Sequence, residues 1–208
     1  MSSLSPRKTQ IGTWAIGILA AAWLAAVVSG QRVMLNYDYT AATLGTPPSK
    51  WPQESRIPRT AGSPTIVVVA HPHCPCTRAT VEELDRLMAR LQNRATAAVI
   101  FLRPQGFTED WERTDLWRSA ARIPGVAVLS DVNGLEASRF GAQASGQTML
   151  YSAAGDLQFS GGITASRGHA GDNAGQSAIF GLVTMGQSDI DHTSVFGCSL
   201  QNPERATN

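Results

Sequence analysis

The sequence predicts an α/β fold: a mixed, mostly parallel central sheet with helices on both faces, three layers in all, behind a separate N-terminal apolar helix. Three observations predict it. From residue 64 to about residue 186, short β-branched runs alternate with stretches of helical apolar spacing, the pattern of βαβ units. The last two strand-like runs are separated by a glycine turn and not by a helix, which adds an antiparallel hairpin. Finally, Ile11 to Val28 holds no charged residue and is long enough to cross a bilayer as a helix.

Each element has a local reason. Thr65 to Ala70 is a continuous apolar, β-branched run, as in a strand buried on both faces. Thr80-Val81-Glu82-Glu83 reads as a capping box, and Val81, Leu84, Leu87, Met88 and Leu91 follow at helical spacing. Ala97 to Leu102 is the second strand. Thr108 to about Arg122 reads as a helix stopped by Pro124-Gly125, and Val126 to Leu129 as the third strand. Asp131 to Gly134 is a turn, and Leu135 to Phe140 a short helix. Thr148 to Tyr151 and Leu157 to Phe159 form the hairpin around Ala154-Gly155-Asp156. Asn173, with Gln176 three residues on, starts a last helix whose apolar face is Ile179, Leu182 and Val183.

The 208 residues carry a formal net charge of +1 and are 43% apolar, which fits one globular domain plus an appendage and gives no reason to expect nucleic acid. Arg7 and Lys8 ahead of the apolar span favour a cytoplasmic N-terminus and an exported C-terminal domain. A cleaved signal peptide is the competing reading, but Val28-Ser29-Gly30 is a mediocre cleavage site and the apolar core is longer than signal peptides usually carry. Both put the rest of the chain outside the cytoplasm. The expected organisation is a cytoplasmic N-terminus (1–10), a transmembrane signal-anchor (11–30), a Pro-rich linker (31–63), the α/β domain (64–186) and a C-terminal tail with Cys198 (187–208). That makes a single-pass protein of the inner (cytoplasmic) membrane with its domain in the periplasm or another extracytoplasmic space. Within the linker, Trp51-Pro52 is a candidate for docking on the domain.

The chemistry concentrates where the first strand runs into His71-Pro72-His73-Cys74-Pro75-Cys76 ahead of a helix. Ligand sites in such sheets gather at the carboxyl ends of strands. A helix N-terminus lowers a thiol's pKa, and only the thiolate attacks a disulfide. Either histidine is placed to shuttle a proton, although a histidine at a strand end is more often a structural hydrogen-bonder. Three cysteines is an odd number, so they cannot all pair within one chain. Cys198 is therefore either a buried free thiol or a third, resolving one. A disulfide between residues two apart closes a small ring, whose strain makes it oxidising. The same residues permit a metal site: Cys74, Cys76, His71, His73 and a returning Cys198 suit copper(I) or zinc. The C-x-C spacing is too short for a closed structural zinc knot. In the loop Gly161 to Asn173, Arg167 and His169 are candidates to face the cysteines, against the reading of a plain glycine loop ending in a helix cap.

The strand, the cysteine motif and the following helix resemble the opening βα unit of the thioredoxin superfamily. The stretch Asp131 to Gly141, with Met149-Leu150-Tyr151 and Gly155-Asp156-Leu157, is similar to its peroxiredoxin and TlpA/ResA-like branch. With the anchor, the chain resembles exported RedB-like proteins. The resemblance covers roughly Ser63 to Ile163 and implies a thioredoxin-like fold, no required cofactor, and a nucleophilic and a resolving cysteine. Two departures stand out. The family carries C-x-x-C: aligned without a gap, Cys76 falls on the second family cysteine and His73 on the first, whereas a one-residue deletion puts Cys74 on the first. The family's cis-proline, which shapes the substrate groove and helps keep metals from the thiols, is replaced by Gly146 in Ala144-Ser145-Gly146-Gln147-Thr148.

The leading expectation is a membrane-anchored, exported thiol–disulfide oxidoreductase acting on a protein thiol or disulfide. Cys74 attacks or is attacked, Cys76 resolves and Cys198 accepts or relays, supported by His71, His73, Pro75, Arg167 and His169. The alternative is a copper(I) or other metal-binding module delivering metal to an exported metalloprotein. A thiol peroxidase ranks lower, because peroxiredoxins place threonine three residues before the attacking cysteine and here that residue is His71. An interaction domain with vestigial thiols is the non-chemical reading.

Overall fold

The computed structural model describes residues 7–200, so residues 1–6 and 201–208, the outer parts of the expected N-terminal segment and tail, lie outside the described residues. The chain divides into two units, the first ending at Tyr39 and the second starting at Thr40. In the first, α1 (Arg7–Tyr39) is one unbroken helix. Its stretch Gly12–Tyr39, 28 residues, is long and apolar enough to cross a membrane, and none of its apolar window is buried within the protein. The helix runs nine residues beyond the expected end of the span, since 31–39 contains no proline or glycine to stop it.

The second unit is built on a five-stranded sheet in the order β3-β2-β1-β4-β5. β1 (Thr65–Ala70) is central and entirely buried, as its unbroken apolar run dictates. β2 (Thr96–Arg103) pairs parallel with β1, and β3 (Val126–Val132) parallel with β2. β4 (Thr148–Tyr151) pairs antiparallel with β1, and β5 (Leu157–Gly161) antiparallel with β4, completing the hairpin. Side chains alternate across the pleat. Ile66, Val68, Val99, Phe101 and Leu150 face α2 (Thr77–Leu91), α3 (Asp115–Ala120) and α5 (Ala174–Met185). Val67, Val69, Ile100, Met149 and Tyr151 face α4 (Leu135–Arg139), with Ile57 and Leu200 closing the layer.

Two local expectations change. The capping box at Thr80 does not form: α2 begins four residues earlier, at Thr77, with Cys76 in the cap position and no side-chain cap bond. Glu83 is instead buried and accepts from the Gly171 N–H (2.7 Å) and from Gln176 Nε2 (2.8 Å). A buried carboxylate needs such partners, and the far loop supplies them. The helix expected from Thr108 is α-helical only over Asp115–Ala120; residues 108–114 turn, with the Glu112 carboxylate buried against Ser130 Oγ (2.8 Å). Asn173 caps α5 as its sequence implies, accepting from the Gln176 N–H at 2.8 Å.

From Thr40 the Pro-rich stretch is laid on the domain and is not a free spacer. The Trp51 N–H donates to the Gly155 carbonyl (2.8 Å), its ring stands edge-on to Phe140 (5.1 Å) and Tyr151 (5.3 Å), and the Arg59 guanidinium lies 4.9 Å from its centroid. Aromatic contacts of this kind add to burial. Trp51→Ala is expected to cost about 2 kcal/mol, read as a lowered denaturation midpoint with the α/β circular-dichroism signature retained.

Candidate functional site

The β1 run ends at Ala70, and the chain turns through His71-Pro72-His73-Cys74-Pro75 before Cys76 caps α2. The turn is closed by the Cys74 N–H donating to the His71 carbonyl and the Thr77 N–H to the Cys74 carbonyl, each at 3.1 Å. Both cysteines lie at the positive end of α2, where thiolate is favoured. Cys74 is 4% exposed and Cys76 7%. Pro75, between them, is exposed.

The C-terminal segment returns to this point. Ala144 and Ser199 form an antiparallel bridge, the Ser145 N–H donates to the Cys198 carbonyl (2.8 Å), and the Leu200 N–H to the Gln143 carbonyl (3.0 Å). Val195 and Leu200 are buried on either side of the cysteine. Gly197 passes so close to Ser145 that a Cβ there would overlap the Ser145 carbonyl oxygen. This threading brings Cys198 Sγ to 2.9 Å from Cys74 Sγ. The sulfurs of Cys74, Cys76 and Cys198 all lie within 4.8 Å of one another, and among the described residues neither His71 nor His73 adds a ligand atom to that cluster.

The three thiols are not equivalent. Burial pushes Cys74 up, but hydrogen bonds from Cys198 and Thr77 outweigh it and leave its pKa below the ordinary thiol value. Burial and the neighbouring Cys74 charge push Cys76 up, opposed by the charge and hydrogen bond of Arg167. Cys198 is pushed up to about 12 by burial, by its bond to Cys74 and by the charges of Cys74 and Cys76. Cys74 is therefore the first to ionise, with Cys198 holding the proton shared between them. Removing that donor in Cys198→Ala is expected to raise the Cys74 midpoint, followed as thiolate absorbance against pH; a midpoint that stays put or falls would contradict the assignment.

The other expected site residues divide. Arg167 meets the cluster: its Nη1 donates to the Gly197 carbonyl (2.7 Å) and it bonds Cys76. His169 turns away, exposed, with Nδ1 2.7 Å from the Arg167 carbonyl oxygen. His71 and His73 do not join the sulfur cluster. The His73 N–H donates to His71 Nδ1 (3.2 Å), and both rings stand edge-on to Trp111 (5.5 and 4.7 Å). Burial, and then the neighbouring His73, lowers the His71 pKa, so its ring favours the neutral form.

Three contributors, Ser145, Gly197 and Trp111, were not identified as site residues from sequence. Ser145 Oγ accepts the His71 N–H (2.8 Å) and pairs with Thr77 Oγ1 (2.6 Å), tying the cysteine turn to the strand entering β4. Gly197 admits the tail, and Trp111 backs the histidines. A glycine next to Cys198 was the one readable signal. Gly146 has φ +89° and its N–H donates to the Val69 carbonyl (2.7 Å). Proline, with φ fixed near −65° and no N–H, is incompatible with both.

No family model and no curated protein matches the chain. Among solved structures it is similar to an uncharacterized conserved protein from Geobacillus kaustophilus (TM-score 0.57, 15% identity, covering 81% of this chain and 95% of that one). It is equally similar in fold to a hypothetical protein from Sinorhizobium meliloti 1021 (0.57, 18%, 77% and 95%). A secreted Mycobacterium tuberculosis disulfide oxidoreductase matches less closely (0.41, 17%, 60% and 83%). The parallel β1–α2–β2 unit, the antiparallel β4–β5 hairpin with its following α5, and the cysteines at the β1–α2 junction make this a thioredoxin-like fold.

Proposed function

We propose that the protein is a membrane-anchored, extracytoplasmic thiol–disulfide oxidoreductase whose working pair is Cys74 and Cys198. The 2.9 Å approach of their sulfurs carries this reading. In it, α1 is a signal-anchor, the domain faces the periplasm or an equivalent space, and the substrate is a protein thiol or disulfide. The Cys74 thiolate attacks one sulfur of a substrate disulfide, and the other leaves as thiolate. Cys198 then attacks Cys74 within the mixed disulfide, releasing the second substrate thiolate and leaving a Cys74–Cys198 disulfide. Two electrons pass to the substrate, and the thiolates it releases take up protons.

The electrostatics support this order. After burial, the hydrogen bond and the charge of Cys74 hold Cys198 protonated. Once Cys74 is bonded to substrate its charge is gone, and Cys198 ionises more readily when it is needed. The sequence-based expectation gave the resolving step to Cys76. The short Cys74–Cys198 approach favours Cys198, with Cys76 a reserve thiol beside Arg167. A reduced protein mixed with a disulfide-bearing peptide should exchange with it. Exchange no faster than with all three cysteines replaced would refute the proposal.

The three-sulfur cluster favours one second reading, a thiolate site for copper(I) that delivers metal to an exported metalloprotein. Three soft donors fit copper(I); zinc would need a fourth ligand. Anaerobic copper(I) titration against a chelator tests it: binding no tighter than in a Cys74→Ser, Cys76→Ser double variant excludes this role. Peroxidase chemistry has no such support, since His71 stands in the threonine position with Nδ1 engaged by the His73 N–H.

A further inference from the structure

The oxidised pair must be reopened in each cycle, and the surroundings of its two sulfurs differ. Cys74 is 4% exposed. Cys198 is half-buried and lines a cavity of about 340 Å³ together with Thr43, Gln143, Arg167, Gly197 and Ser199. Neither Cys74 nor Cys76 lines it, and Arg167 is the one charged side chain among its described lining residues. The Arg167 bond to the Gly197 carbonyl, one residue before Cys198, fixes the guanidinium beside that sulfur.

We infer that this cavity admits a small, carboxylate-bearing thiol that opens the Cys74–Cys198 disulfide by attacking Cys198, with Arg167 holding the carboxylate. The inference rests on the oxidoreductase reading above and names the reductant class for its second half-reaction. A cavity of this volume lies at the lower end of the range for small-ligand sites. It suits a thiol of amino-acid to short-peptide size and not a folded protein surface. Arginine is the side chain best matched to a carboxylate.

The step balances. The incoming thiolate bonds Cys198 Sγ, the Cys74–Cys198 bond breaks, and the electron pair leaves on Cys74, at the α2 N-terminus and within hydrogen-bond reach of Thr77. A second thiol molecule attacks the first one's sulfur. It releases the small disulfide and a Cys198 thiolate, which takes a proton from solvent. Two small thiols are oxidised to one disulfide, and the protein disulfide is reduced by two electrons.

The test uses the full chain in detergent, oxidised with diamide, its disulfide located by peptide mapping. It is then mixed with thioglycolate (anionic) or cysteamine (cationic), quenched in acid and mapped again. The first adduct is expected on Cys198. In Arg167→Gln the thioglycolate rate should fall about fivefold relative to the cysteamine rate, which controls for any loosening of the tail. A first adduct on Cys74, or an unchanged rate ratio, overturns this inference alone. Failure of the oxidised chain to contain any Cys74–Cys198 bond overturns both it and the oxidoreductase reading.

Discussion

Cys74→Ser is expected to lower thiol–disulfide exchange with a peptide disulfide by at least about a hundredfold, the largest loss of any single substitution. Cys74 alone among the three thiols is held below its ordinary pKa. It is the first of the three to ionise and so supplies the thiolate, while Cys76 and Cys198 are held above their ordinary values, chiefly by burial. Cys198→Ser should leave the first attack in place but trap the mixed disulfide, so that covalent adducts accumulate on Cys74. Cys76→Ser should have the smallest effect. Equal losses for all three variants, measured as initial rates with intact-mass spectra, would mean that the sulfurs act as one cluster, as a metal site requires.

Gly197→Ala is expected to unseat the tail. The added methyl would overlap the Ser145 carbonyl oxygen, a backbone atom in the residue next to the Ala144–Ser199 bridge. Neither backbone can yield without breaking the Ser145–Cys198 hydrogen bond. Overpacking of this kind costs about 1–3 kcal/mol, and here the tail can give way while the sheet stands. The variant should stay folded but lose the close Cys74–Cys198 approach. Under mild oxidation its Cys74–Cys198 disulfide should form at least about tenfold more slowly, because the pair loses its fixed geometry. The Cys74 pKa should rise as in Cys198→Ala. Unchanged disulfide formation would show that the tail's path does not depend on this contact.

The strands were legible because each carries a β-branched or alternating run, and the unbroken apolar stretch Thr65–Ala70 marked the central strand without help from tertiary context. Asn173 was legible as a cap for the same local reason. Thr80-x-x-Glu83 was not, because a capping box and a buried carboxylate bridging to a distant loop share one local pattern. At the site, Cys74 and Cys76 could be singled out from their position at the end of β1, and Arg167 from the glycine-rich loop before the last helix. His71 and His73 lie within three residues of Cys74 in sequence, but the turn sets their rings against Trp111 and outside the sulfur cluster. Which thiol partners Cys74 was hidden, since it depends on a chain return over 124 residues and on a bridge at Ala144 that no periodicity announces. Glycine stands at 146, where the resemblance calls for proline, for a local reason: the positive φ and the N–H bond to Val69 both exclude proline.

The central claim, that Cys74 and Cys198 are the redox pair, is tested most directly by equilibrating the full chain in a series of thiol–disulfide buffers, trapping free thiols by alkylation and mapping the disulfides by mass spectrometry. The account predicts a single two-electron transition in which Cys74–Cys198 forms while Cys76 stays alkylated. A transition that yields Cys74–Cys76, or three free thiols under every oxidising buffer, would contradict it.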